Sequence, residues 1–427
     1  MLSLTTQQLQ SVFTQTPEHS ISSSEINTIL QRKDEIIQQF HTRKQGWVDI
    51  TADVELAEQI NQFASSIQGK YTDIVILGIG GSMLGPKTLL DALYYTKSKD
   101  INIHTLDNID PYVTNHVANI INLPTTLFLV QTKSGGTPET VAQYLFFKDQ
   151  IEGQGLSVAD HFVFVTDPKD GYLRSQAEEL DVPSFPIAPN VGGRFSVLTP
   201  VGLLILAILG FDIQAMLQAA HNLAQDTLSG KNTDALTLAA TQLLLSQKGK
   251  NMNVVMPYSS RLATFANWYV QLLSESIGKE FNLNGEVVHT GITPIPAIGA
   301  TDQHSQMQLF KEGPNDKLLI FIEVKNHQVL LPITNQQLPQ SLDYLKNKSF
   351  SDLLDAEFQA TRQSLTESGR PSVTIQIDEV NEKTLGELFM FFQFSTAFVG
   401  ELLNIDTYNQ PGVERSKVLT KEYLVKS

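Results

Sequence analysis

DIVILGIGGS, residues 73–82, is an unbroken apolar run that ends in glycines and a serine. A strand with one wet face alternates polar and apolar residues, whereas an unbroken run marks a strand buried on both faces, as in a parallel sheet. The glycines that follow mark the turn into a helix. The same form recurs in TTLFLVQTKSGGTPET at 125–140 and in HFVFVTD at 161–167. Strands that alternate with helical stretches build right-handed βαβ units, so the expected class is α/β with a doubly wound, flavodoxin-like parallel sheet. Ligands of such sheets sit at the carboxyl ends of the strands.

After an apolar helix at 200–211 and a polar stretch from Thr227 to Asp234, the scheme restarts with NMNVVMPYSS (251–260), KLLIFIEV (317–324) and PSVTIQI (371–377). Two α/β domains in tandem are expected, over 49–225 and 226–400. Ahead of them, Ser22 and Glu25 read as a capping box before a stripe of Ile26, Ile29, Leu30, Lys33, Ile37 and Phe40. That predicts a helical N-terminal arm over 1–48. A long apolar helix from Leu385 to Leu403 leads into a C-terminal segment, 401–427. The likeness of 73–82 to 252–260 hints at duplication, but two short matches do not establish a repeat.

The chain has 427 residues, room for two or three domains at ~150 residues each. Its 30 Lys and Arg against 45 Asp and Glu leave a net charge of -15. That field repels phosphodiester backbones and anionic lipid, so neither nucleic acid nor a membrane is an expected partner. An anionic substrate would have to be held by a few local cations and backbone N–H groups. Cysteine is absent, which excludes disulfides, thiolate metal sites and cysteine nucleophiles and fits a reducing compartment. The opening MLSLTTQQLQ carries no secretory pattern, and the longest apolar run, Val201 to Phe211, is too short to cross a bilayer. The expectation is a cytoplasmic protein.

Three glycine-bearing turns invite an anion. Gly78-Ile79-Gly80-Gly81-Ser82 lets the backbone approach closely where a helix begins, although a tight turn with no ligand explains glycines equally well. Two nucleotide readings fail, because G-x-G-x-x-G needs glycine where Met83 stands and a Walker A loop needs lysine where Pro86 stands. Thr132-Lys133-Ser134-Gly135-Gly136-Thr137 offers three hydroxyls and a cation before a helix that opens at Pro138, a set suited to a phosphate monoester. A Ser/Thr-rich cap is the bland alternative. Gly192-Gly193-Arg194 sets an arginine on a glycine hinge, where a surface arginine is the commoner outcome. Glu275, in QLLSESIGKE (271–280), is a candidate base whose default reading is a solvated helix glutamate. Asp302-Gln303-His304-Ser305 surrounds a histidine, a type more often structural than catalytic. No spacing such as H-E-x-x-H appears, so no metal is expected.

Taken in this order, the segments resemble the glucose-6-phosphate isomerase family in its compact bacterial form. NVGGRFSVLTPVG (190–202) and NIDTYNQPGVERSK (404–417) carry most of the likeness, with LGIGGSMLGP, QTKSGGTPET, QLLSESIGKE and TDQHSQMQLF in support. The sequence departs from the family at Thr132, where serine is common, at Ser134-Gly135-Gly136 and at Ile277. The resemblance implies two sugar-isomerase domains and a homodimer with shared active sites. It also implies reversible isomerisation of glucose 6-phosphate and fructose 6-phosphate through a cis-enediolate, without a cofactor. It assigns Ser82, Thr132, Lys133, Ser134 and Thr137 to the sugar phosphate, with Gly81 giving backbone approach. Glu275 becomes the base, Arg194 the cation beside the enediolate, and His304, from the neighbouring subunit, opens the ring with Lys417. Gln271 and Gln410 line the site and Glu139 supports it.

The residue types suit that chemistry. One carboxylate can take a proton from carbon and return it to the neighbouring carbon, as in triosephosphate isomerase. A histidine near neutral pKa suits ring opening. Three rivals stand beside this reading. A dual glucose/mannose phosphate isomerase would differ in its activity on mannose 6-phosphate. A sugar-phosphate sensor without turnover could dispense with Glu275, Arg194, His304 and Lys417. A nucleotide-binding protein is weakened by Met83 and Pro86.

Overall fold

The computed structural model describes residues 2–96, 101–334 and 337–426. Its strands are β1 (Ser3–Thr5), β2 (Asp73–Leu77), β3 (Asn102–Leu106), β4 (Thr126–Thr132), β5 (Phe162–Thr166), β6 (Ser184–Pro186), β7 (Met252–Pro257), β8 (Lys279–Phe281), β9 (Val287–Thr290), β10 (Thr293–Pro296), β11 (Lys317–Val324) and β12 (Ser372–Ile377). One sheet runs β3-β2-β4-β5-β6 and is parallel throughout. The other runs β10-β7-β11-β12-β1, parallel except for β1. Counted within each sheet, both follow the winding 2-1-3-4, and β1 takes the fifth place in the second sheet. The order reverses between β2 and β4, and again between β7 and β11, which makes two topological switch points.

The unbroken apolar runs have the physical cause the pattern suggests. Ile74, Ile76, Leu127, Leu129, Val163 and Val165 face one large core. Val75, Leu77, Phe128, Val130, Phe162 and Phe164 face an outer cluster with Tyr144 and Phe147 of the helix Pro138–Gly153. The second sheet repeats this. Val255, Ile320, Ile322, Val373 and Ile375 join the same large core, while Val254, Met256, Leu319 and Phe321 pack outward with Phe310, Phe358 and Leu365. The inner faces of both sheets therefore share one core. The helix Glu382–Leu402 runs through it, with Phe389, Phe391, Phe392, Phe394 and Phe398 all buried. Each such side chain contributes roughly 1.5–3 kcal/mol on burial. Among the described residues no helix is long and apolar enough to cross a membrane.

Among the described residues six short strands escape a reading of periodicity, two of them the hairpin β8 and β9. β3 and β6 are edge strands, and β6 has three residues. β10, Thr-Pro-Ile-Pro, holds two prolines that only an edge tolerates. The N-terminal arm, expected to be helical, opens with β1, which pairs antiparallel with β12 from Ser3 opposite Gln376 to Thr5 opposite Thr374. Three residues with one apolar side chain carry no legible period, and the partner lies at the far end of the chain. The capping box at Ser22 and Glu25 is formed. The stripe after it is divided between the helices Ser23–Leu30 and Lys33–Thr42, with Gln31 and Arg32 as the turn.

Candidate active site

The site begins at the first switch point, where the loops after β2 and β4 lie side by side. Gly80 has φ +57°, a conformation that disfavours any side chain. A Cβ on Gly81 would lie 2.2 Å from the Gly193 carbonyl oxygen, so only glycine lets this loop press against the 192–194 hinge. The helix Gly81–Leu93 starts here with Ser82 buried in its first turn. Beside it, the Thr132 and Thr137 hydroxyls are 2.6 Å apart, and Ser134 Oγ is 3.4 Å from each. Pro138 follows as the first residue of its helix, where its missing N–H costs nothing. Three hydroxyls thus cluster at a helix N-terminus, a place that favours anions. Lys133 projects from the same loop. Burial lowers its pKa, with Asp167 opposing and Arg194 adding to the effect. Among the described residues its ammonium has neither a hydrogen bond nor an ion pair.

Arg194 is 3% exposed and uses all five of its N–H donors. Nε donates to Ser276 Oγ at 2.8 Å, and Nη1 donates to Glu275 Oε2 at 3.1 Å and Gln410 Oε1 at 3.0 Å. Nη2 donates to the carbonyls of Thr407 and Asn409. Burial lowers its pKa and Glu275 resists that. The guanidinium therefore gathers three separate segments: its own hinge, the last turn of the helix Ala263–Ile277, and the loop at 405–410. Glu275 is held at both oxygens, because Gln271 Nε2, one turn earlier, donates to Oε1 at 2.9 Å. Its side chain is 35% exposed, which leaves it open to a ligand. Gln271 and Glu275 line a cleft of about 540 Å³ between this helix and Gly81–Leu93, with Leu84, Lys87, Asn267 and Ser274.

The structure thus brings together, by hydrogen bonds or close approach, Gly81, Arg194, Gln271, Glu275 and Gln410, with Ser82 and the loop at 132–137 alongside. It places two candidates elsewhere. His304 is exposed at the end of the short turn Thr301–His304. Lys417 lies on the exposed C-terminal helix Glu414–Lys426, where its ammonium pairs with Glu414 at 2.6 Å. Among the described residues, no hydrogen bond links either to the Arg194 cluster. Two residues that sequence reading passed over join the cluster. Ser276 receives Arg194 Nε, and Lys279 donates to the carbonyls of Glu275 at 2.6 Å and Asn409 at 2.7 Å. A lysine one turn past a candidate base, at a helix end with free carbonyls, was the available signal.

Residues 49–426 match the family model described as phosphoglucose isomerase. The glucose-6-phosphate isomerase of Carboxydothermus hydrogenoformans is 43% identical over 379 residues, which cover 86% of this chain and 81% of that one. Its counterpart from Thermus thermophilus is 36% identical over 385 residues, 89% of this chain and 90% of that one. A Thermus thermophilus protein solved as a hypothetical protein superimposes with TM-score 0.88 at 34% identity, over 99% of this chain and 100% of its own. The glucose-6-phosphate isomerase of Chlamydia trachomatis shares the fold, with TM-score 0.85 at 24% identity over 95% of this chain and 86% of its own. With the model match spanning both sheets and these identities sustained along most of the chain, this protein belongs to the phosphoglucose isomerase family.

Proposed function

We propose that the chain interconverts glucose 6-phosphate and fructose 6-phosphate, with Glu275 carrying the proton between C1 and C2 through a cis-enediolate. The observation that carries this reading is the Glu275–Arg194 pair at the edge of an open cleft. A base for a carbon-bound proton must be ionised, aimed and reachable. The two donors that hold Glu275 fix its orientation, and its exposure leaves the carboxylate accessible. As negative charge grows on the enediolate oxygens, the neighbouring guanidinium, whose N–H donors are all taken by protein, meets it through its charge; fixed electrostatic stabilisation of this kind lowers a barrier by about 3–4 kcal/mol. The phosphate would lie on Ser82, Thr132, Ser134 and Thr137 with Lys133, whose ammonium has neither a hydrogen bond nor an ion pair among the described residues.

Ring opening needs an acid and a base near the ring oxygen and the anomeric hydroxyl, and we assign these to His304 and Lys417. Neither bonds to the cluster in the single chain, which supports a homodimer in which a second copy supplies His304. The place of action is the cytoplasm, in keeping with a chain free of cysteine.

The direct test supplies fructose 6-phosphate to the purified protein with a glucose-6-phosphate dehydrogenase couple. Steady NADPH formation is expected, and its absence would overturn the reading. Co-refolding equal amounts of Glu275→Gln and His304→Ala tests the shared site. Half the dimers would be mixed and one site in each intact, so about a quarter of wild-type activity should return, because a two-fold interface is reciprocal. No recovery, with mixed dimers confirmed by native mass spectrometry, would place His304 in its own subunit.

A further inference from the structure

Lys279 opens the hairpin strand β8 and is 7% exposed. It stands four residues after Glu275, just past the end of the helix Ala263–Ile277 and its cap Gly278. Its ammonium donates to the Glu275 carbonyl, one of the last-turn carbonyls that a helix leaves without an internal partner, and to the Asn409 carbonyl. Arg194 Nη2 donates to that same Asn409 carbonyl at 3.3 Å. The backbone from 405 to 410 has no regular structure. Its position relative to Glu275 is therefore set by these bonds rather than by a helix or sheet.

We propose that Lys279 is a positioning residue for the isomerisation, tying the helix end that carries Glu275 to the loop that carries Gln410. The proposal rests on the reading of Glu275 as the base. Without the tie, Arg194 would still hold the Glu275 side chain and the Thr407 and Asn409 carbonyls, but no donor would join the helix-end carbonyl of Glu275 to the loop, and their spacing would loosen. Loss of about 1 Å in such an arrangement can cost roughly 10²-fold in rate. The arrangement carries a cost of its own, since two cations are buried side by side. Burial, then Arg194, brings the Lys279 pKa down to about 8, against the pull of Asp406 and Glu275. Those three are the charged groups that face it.

The test compares Lys279→Met, which keeps the stem and removes the donors, with Lys279→Arg, which keeps a permanent cation. For Lys279→Met we expect kcat to fall about 100-fold, with little change in KM or in 6-phosphogluconate affinity measured by calorimetry. Lys279→Arg should recover a large part of the rate. Wild-type kcat should decline above about pH 8, and the arginine variant should lose that limb. A Lys279→Met kcat close to wild type would overturn the proposal, as would a limb unmoved in Lys279→Arg. The pH comparison decides alone if the methionine variant does not fold. Glu275→Gln is the control that separates the two readings. If it stays active, the base assignment has failed; if it is inactive while Lys279→Met is not, only the tie has failed.

Discussion

The two switch points have the same winding and opposite contents. At the first, the loops after β2 and β4 leave three clustered hydroxyls and a Lys133 ammonium with no hydrogen bond or ion pair among the described residues. At the second, Arg261 fills the corresponding place. It lies in the short turn Ser260–Leu262 after β7 and donates to Gln328 Oε1 beyond β11, to the Val380 carbonyl beyond β12, and to the Ala92 carbonyl of the helix Gly81–Leu93. One helix joins these two places. Ala263–Ile277 starts beside Arg261 and, roughly 18 Å further along, delivers Glu275, in its last turn, to the other switch point. The second half of the chain thus fills its own switch point with Arg261 and sends Glu275 to that of the first half. Repetition of a fold does not repeat its site, because a site needs donors without internal partners at the place where the winding reverses.

The largest effect should come from the far end of that helix. Glu275→Gln should lower kcat by roughly 10²- to 10⁴-fold and leave 6-phosphogluconate affinity near wild type. Solvent-deuterium exchange at C2 should vanish with it, and exchange at a normal rate would break the comparison at its centre.

The next test sets one arginine against the other. Arg194→Ala should remove about 3–4 kcal/mol of transition-state stabilisation, read as kcat/KM in the coupled assay. Arg261→Ala should leave kcat near wild type. It should cost about 1–3 kcal/mol of stability, because a buried acceptor loses its donor, read as a lower denaturation midpoint. If Arg261→Ala instead impairs catalysis, the second switch point is not closed off.

Replacing Ser134 and Thr137 together by alanine should raise KM by roughly tenfold, since hydrogen bonds to a charged group are worth about 1.5–3 kcal/mol each and water replaces part of that. Calorimetry with 6-phosphogluconate checks this, and unchanged affinity would remove the phosphate from that loop.

The smallest effect concerns the fifth strand, where the sheets differ most. β1 is held by backbone N–H groups of Leu2 and Leu4 that donate to Glu387 and Asp234. Burial raises the Asp234 pKa above its ordinary 3.8, with the Leu4 N–H opposing. A raised acid binds its proton more tightly when folded, so its contribution to stability is fully present below the unfolded pKa. That contribution is lost as pH rises through the folded pKa. Relative to Asp234→Asn, the wild type should therefore gain stability on acidification through the range above pH 3.8, read from urea midpoints at a series of pH values.

The resemblance singled out the 132–137 loop and Glu275, whereas physical reading of the residues alone left each near its bland alternative. Glu275 looked like a solvated helix glutamate because nothing local distinguishes it. Its role depends on Arg194, 81 residues away in sequence. The glycines at 78–81 looked like a plain turn, since the contact that requires glycine at 81 is with Gly193, out of reach of any local reading.

The sequence by itself determined the strands β2, β4, β5, β7, β11 and β12, because burial on both faces of a sheet writes itself into consecutive apolar residues. It also determined the turns that follow β2 and β4, because glycine, proline and hydroxyl side chains act on their own backbone. Tertiary structure alone decided which segments meet: β1 against β12, Arg261 across the second switch point, and Arg194 between Glu275 and the carbonyls of the 405–410 loop. Those choices rest on donors finding acceptors far apart in sequence, 67 residues for Arg261 and Gln328 and 213 for Arg194 and Thr407. Local periodicity has no access to that pairing.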